Sequence, residues 1–223
     1  MEKNFRHEYK FLISPNAARL LKLRLPHIMG RDPHAGPTGQ YTIRSLYFDD
    51  SNFTAFRDKV DGVDNRTKYR IRCYNGDTSR CRLERKEKKG HLTRKAGQSI
   101  QAQDALALQN RTFPHGEGLC EELRLLCASQ GLRPMVLVDY DRTPFVCAAG
   151  NVRITLDENL RTRPYCGDLF DTHQSMMPVL EDNQVILEVK FDDYLPGYLR
   201  DVLADIPKIP MAISKFAMCL NLI

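Results

Sequence analysis

The chain has 223 residues, 42% hydrophobic and 27% charged, and carries a formal net charge of +5. That length suits one domain with a real core, and the composition argues against a disordered, collagenous or membrane-embedded chain. Seven scattered cysteines without a Cys-x-x-Cys pair argue against a zinc ribbon or dithiol motif and read as reduced, buried thiols, and with neither an apolar leader nor a run of membrane-spanning length the expected compartment is the cytoplasm.

Residues 5–13 read as a strand in which Arg6, Glu8 and Lys10 alternate with His7, Tyr9 and Phe11. Ser14-Pro15 is a helix start, with Ser as cap and Pro in the first turn, and the helix should run to about Leu25. A breaker-rich loop at 30–39 precedes a strand at 41–48, and Asp49-Asp50-Ser51 caps a short helix through Val60. Strands at 66–74 and 80–88 flank Asn75-Gly76-Asp77 and form a hairpin that ends at Lys88-Lys89-Gly90. Helices follow at 99–110 and 117–130, the second with Leu119, Leu123 and Leu126 on its buried stripe. Strands at 135–142 and 152–156, joined through Pro144 and Ala149-Gly150-Asn151, make a second hairpin, and 161–178 is irregular. A strand at 185–191, a helix from Gly197 to about Leu203 and a helix at 212–222 complete the chain, with no second domain or repeat.

The strand at 185–191 organises the rest. Val185, Leu187, Val189 and Phe191 fall on one side and Ile186, Glu188 and Lys190 on the other, so an apolar face backs an acid and a base. Lys68, Arg70 and Arg72 alternate with Tyr69, Ile71 and Cys73 in the same way, as do Arg153, Thr155 and Asp157 with Val152, Ile154 and Leu156. Two architectures satisfy this pattern: an antiparallel sheet with one wet face, or a barrel whose charged faces point inward while helices cover the apolar ones. A barrel interior with more Lys and Arg than Asp and Glu requires a polyanion, with a metal ion, to offset its repulsion. Nucleic acid is not the expected partner, because Tyr69 lies on the face opposite the cations rather than interleaved with them.

The chain has no Gly-x-x-x-x-Gly-Lys-Ser/Thr loop, Gly-x-Ser-x-Gly elbow or His-Glu-x-x-His helix, so any phosphate would be held by side chains. Arg6-His-Glu-Tyr-Lys-Phe11, Ser45-Leu-Tyr-Phe-Asp49, Lys68-Tyr-Arg-Ile-Arg72, Tyr140-Asp-Arg142, Arg153-Ile-Thr-Leu-Asp157, Leu187-Glu-Val-Lys190 and Ser214-Lys-Phe216 occur in that order. Together they resemble the VTC domain, the polyphosphate polymerase branch of the triphosphate tunnel metalloenzymes (CYTH-like), across almost the whole chain. The resemblance implies an α+β fold over residues 1–223: an antiparallel tunnel barrel with a basic polar interior, flanked by helices and closed by a C-terminal helix. It also implies ATP or another nucleoside triphosphate as substrate, a Mn or Mg ion, and transfer of the terminal phosphoryl group to a growing polyphosphate chain.

By that resemblance Arg70, Arg72, Lys86, Arg142, Arg153 and Lys190 act on the reacting phosphates. Lys10, Lys68, Ser214 and Lys215 bind phosphate, and Glu188 with Glu8 holds the metal. Glu84 and Asp157 are second metal contacts or counter-charges for the basic wall. The tunnel hydrolases carry Glu-x-Glu-x-Lys in the first strand, whereas this chain has Arg6 before Glu8 and Lys10, which favours the polymerase branch. A triphosphate or tripolyphosphate hydrolase and a non-catalytic polyphosphate-binding module are the alternatives. The larger members' helical phosphate-sensing domain and membrane spans have no counterpart here, so any coupling to a membrane would come from another protein.

Overall fold

The computed structural model describes residues 7–90, 92–113 and 115–223. Phe5 and Arg6, expected in the first strand, lie outside them. In chain order the elements are β1 (His7–Ile13), α1 (Pro15–Arg24), β2 (Gly30–Arg31), β3 (Tyr41–Asp49), α2 (Thr54–Val60), β4 (Asn65–Tyr74), β5 (Asp77–Lys89) and β6 (Leu92–Ile100). Then come α3 (Ala102–Gln109), α4 (Gly118–Ser129), β7 (Arg133–Cys147), β8 (Val152–Pro164), β9 (Met177–Pro178), β10 (Val185–Phe191), α5 (Gly197–Ala204), β11 (Ile209–Pro210) and α6 (Lys215–Leu220). The fold is α+β, with antiparallel strand pairing, flanking helices and a C-terminal helix, as the sequence led us to expect.

The chain forms two compact units, the first comprising residues 1–41, 140–160 and 180–213 and the second 42–139, 161–179 and 214–223. In the first, the strand order is β11-β1-β10-β8-β7, with β2 also on β7. β10 is hydrogen-bonded on both sides, by β1 and β8, which explains why an acid and a base within it are withdrawn from water. Its Val185, Leu187, Val189 and Phe191 join Ile154 and Leu156 of β8 and Ala17, Ala18, Leu21 and Leu25 in and after α1 to form the core. α1 starts where the sequence places it: the Ser14 hydroxyl accepts from the Ala17 N–H at 3.2 Å, and Pro15 occupies the first turn.

In the second unit β3-β4-β5-β6 follow one another from β7. Asn75 and Gly76, at φ of 52° and 69°, supply the left-handed pair that a two-residue hairpin turn needs. Tyr69, Ile71 and Cys73 of β4, Leu83 of β5 and Leu46 and Phe48 of β3 pack with Leu108 of α3 and Leu119 and Leu123 of α4. The carboxylate of Asp49 accepts from the Ala55 and Phe56 N–H groups at 2.9 and 3.0 Å and so caps α2, which begins later than the acidic run alone implies.

Four boundaries differ from expectation. Residues 92–100 form β6, and Ser99 and Ile100 end that strand rather than open a helix. The stretch combines Lys, Ala and Gly, poor strand formers, and its conformation comes from pairing with β5 along its whole length. β7 continues through Pro144 to Cys147, and β8 continues to Pro164, where Arg161 and Thr162 pair with β9. α6 is shorter than the apolar run at 212–222 suggested. No helix among the described residues is long and apolar enough to cross a membrane.

Leu187 is fully buried in the first core. Leu187→Ala should cost about 2–5 kcal/mol of unfolding free energy, measured by urea denaturation; a loss below about 1 kcal/mol would contradict the packing described.

Candidate functional site

In the first unit the register sets one charged face. Lys10 lies opposite Glu188, and Glu8 opposite Lys190, while Thr155 and Arg153 oppose Glu188 and Lys190 from the other side. Glu188 is 5% exposed. Its Oε2 accepts from Lys190 Nζ at 3.1 Å and lies 3.6 Å from Arg142 Nη2, and its Oε1 is 3.6 Å from Lys10 Nζ. Glu8 Oε1 is 3.4 Å from both lysine ammonium groups.

Arg142 donates from Nε and Nη2 to the two oxygens of Asp157 at 2.6 and 2.7 Å, a bidentate fork to a carboxylate that is fully buried. Burial opposes the Arg142 charge, but Asp157 and, further down, Glu188 outweigh it and raise its pKa well above the ordinary value. Arg153 pairs with Asp32 at 2.5 Å and donates to the Tyr41 hydroxyl at 3.1 Å. Asp32, in the loop before β3, and Tyr41 were not singled out from the sequence; nothing in a breaker-rich loop marks one aspartate as a partner. Lys10, Lys190, Arg142 and Arg153 are thus set against Glu8, Glu188, Asp157 and Asp32, a charge-balanced group.

The second unit is not balanced. Three cross-strand rows on one face of β4, β5 and β6 read Lys68–Lys86–Lys95, Arg70–Glu84–Gly97 and Arg72–Arg82–Ser99. Of these nine positions six are cationic and one is acidic. Glu84, 2% exposed, accepts from Arg70 Nε and Nη2 at 2.7 and 2.6 Å, and it pairs with Lys95 Nζ at 2.5 Å and Arg72 Nη1 at 3.8 Å. Burial favours its neutral form, but Arg70, Arg72 and Lys95 more than reverse this and hold the carboxyl far below its ordinary range. The absence of a side chain at Gly97 makes room for Arg82: a Cβ there would lie 2.5 Å from Arg82 Nε.

Aromatic groups orient two of the cations. Arg70 Nη1 donates to the Tyr47 hydroxyl at 2.8 Å, and Tyr47 stacks on Phe216 with ring centroids 5.0 Å apart. Lys68 Nζ lies 5.1 Å from the Phe216 ring and donates to Ser214 Oγ at 3.1 Å. Ser214 Oγ also accepts from the Ala217 N–H at 3.4 Å, so the residue caps α6 as well, and Lys215 opens that helix half-buried. Lys95 and Arg82 were missing from the sequence-derived site, Lys95 because its strand was not recognised.

Among the described residues no three His, Cys, Asp or Glu side chains group to hold a metal. Glu188 and Glu8 are both carboxylates reached by Lys10 and Lys190. Such a pair fits a hard divalent ion held jointly with substrate phosphate, as Mg²⁺ usually is, rather than a cage made by protein alone.

Solved structures share this fold. A candidate adenylate cyclase of Bacillus halodurans is 20% identical, with a TM-score of 0.56 over 96% of each chain. The PH1819 protein of Pyrococcus horikoshii is 15% identical, with a TM-score of 0.51 over 96% of this chain and 99% of its own. No curated protein matches the chain. The VTC domain family matches residues 5–223, and the chain belongs to that family. Membership implies dependence on a divalent metal.

Because the Glu84 pKa is depressed in the folded state, its contribution to stability is full above the ordinary carboxylate value and is lost as pH falls through the folded one. Lowering the pH from about 6 to about 3 should therefore destabilise the wild type more than Glu84→Gln, as read from urea midpoints. Equal losses would contradict the ion-pair geometry around Glu84.

Proposed function

We propose that the 223 residues work as one VTC-like domain, a cytoplasmic, metal-dependent polyphosphate polymerase. It transfers the terminal phosphoryl group of ATP to the end of a polyphosphate chain within a basic tunnel and releases ADP. The observation that carries this reading is the excess of positive charge at the nine cross-strand positions on β4, β5 and β6. Like charges opposed across strands are destabilising unless something anionic joins them. A polyphosphate supplies anionic oxygens at a spacing that a row of lysines and arginines can follow.

Each set of residues has a role in this reading. Arg70 and Arg72 hold non-bridging oxygens of the triphosphate, and guanidinium forks suit those oxygens because they donate in parallel pairs. Arg70 is pre-oriented for this by Glu84 and the Tyr47 hydroxyl. Lys86, Arg142, Arg153 and Lys190 neutralise charge on the transferred group, while Lys10, Lys68, Ser214 and Lys215 guide the chain. Glu188 and Glu8 hold the divalent ion, Mn or Mg, which when bound neutralises charge on phosphate oxygens. The attacking oxygen belongs to a terminal phosphate that is already anionic near neutral pH, so no His or Cys base is required. Transfer then depends on positioning and charge neutralisation, the terms that dominate phosphoryl transfer.

Arg70→Ala and Glu188→Gln should each keep the wild-type circular dichroism spectrum and lose roughly 100-fold or more of metal-dependent ADP release from ATP. Wild-type turnover in either variant would contradict the assignment.

A further inference from the structure

The apolar side of the β4–β5 hairpin carries two cysteines whose placement the phosphate chemistry does not use. Cys73 and Cys81 are free thiols, each 2% exposed, with Sγ atoms 3.0 Å apart. The strand register runs Ile71 opposite Leu83 and Arg72 opposite Arg82 and shifts before Tyr74, so Cys73 and Cys81 are the next residues on the two strands, where the ladder breaks towards the turn. With the sulfurs already 3.0 Å apart, a disulfide requires them to close by only about 1 Å.

Cys73 is also reachable, with the Cys81 sulfur 3.0 Å from its own. Cys73 lines an open cavity of about 560 Å³, together with Arg44, Asn75, Gly76 and Phe170. A small oxidant can enter such a space although neither cysteine is at the surface. Two further cysteines differ: Cys147 contacts the Tyr198 hydroxyl, and Cys166 the Arg163 guanidinium.

We propose that Cys73 and Cys81 form a reversible redox site, oxidised to a disulfide by hydrogen peroxide that enters through this cavity. The hydrogen bond between the two sulfurs pushes the Cys73 pKa up and the Cys81 pKa down, so Cys81 is the readier of the two to lose its proton and attack as the thiolate. Its sulfur attacks one peroxide oxygen, the O–O bond breaks, and the departing hydroxide takes up a proton and leaves as water. Cys81 is then a sulfenic acid. The Cys73 sulfur, giving up its proton, attacks the Cys81 sulfur; the S–S bond forms, the S–O bond breaks, and the second oxygen leaves as water. Two thiols have lost two electrons and two protons, and one peroxide has become two waters. The bridge would clamp the hairpin one residue from Arg72 on one strand and from Arg82 on the other.

The test uses the full reduced chain, treated with equimolar hydrogen peroxide, alkylated, and digested with trypsin without reductant. Because Arg72 and Arg80 are tryptic sites, the expected product is a peptide beginning at Cys73 joined to one beginning at Cys81, separated again by dithiothreitol. The titratable thiol count should fall by two in the wild type but not in Cys73→Ser or Cys81→Ser. Peptides joined through other cysteines, sulfinic acid at Cys81 without a bridge, or no change in either position would overturn the proposal. Neither readout depends on the phosphate reaction, so this inference and the polymerase reading fail separately.

Discussion

The positive charge gathered at the three cross-strand rows of β4, β5 and β6 is the constraint on which the account turns. Six cations and one carboxylate leave five net positive charges at nine positions, as many as the whole chain carries. The modest overall charge therefore conceals a concentrated one. Two unit charges about 5 Å apart repel by roughly 3 kcal/mol at the effective dielectric of a protein surface, so these rows are a substantial local cost to folding. Glu84 offsets part of it by pairing with Arg70, Arg72 and Lys95 at once, and its depressed pKa reflects that load. The face remains one that a polyanion would stabilise.

The charged face around β10 follows a different logic. Arg142 is paired in bidentate fashion to Asp157, and Arg153 to Asp32, so the cations there have dedicated carboxylates. Removing one partner of such a buried pair is costly because the other charge is left in a poor solvent. The pairing holds Glu188, almost fully buried, between Lys10, Lys190 and Arg142. A carboxylate among ammonium and guanidinium groups is suited to sharing a hard cation with phosphate.

Much of this was legible in the sequence, for a specific reason. Where an apolar face must be buried, the two-residue period of a strand fixes which residues lie on the other face. Hence Glu188 and Lys190, Arg153 and Asp157, and Lys68, Arg70 and Arg72 all fall on the faces that alternation assigns. The signal failed where tertiary pairing overrides propensity. Leu92-Thr-Arg-Lys-Ala-Gly-Gln-Ser-Ile100 has little strand preference of its own, and with β6 unrecognised, Lys95 went with it. Asp32 and the hydroxyls of Tyr41 and Tyr47 illustrate a second limit: a partner contributed by a loop, or by the polar tip of an aromatic ring, has no periodicity to betray it. Cys73 and Cys81 show a third, since only the hairpin register brings two scattered cysteines together.

The most direct measurement is to incubate the purified chain with ATP, a divalent metal and a short polyphosphate primer, and to resolve the phosphate products by length while following ADP. The account predicts primers that lengthen in step with ADP formation. Release of free phosphate without lengthening would contradict it and assign the same face to a hydrolase.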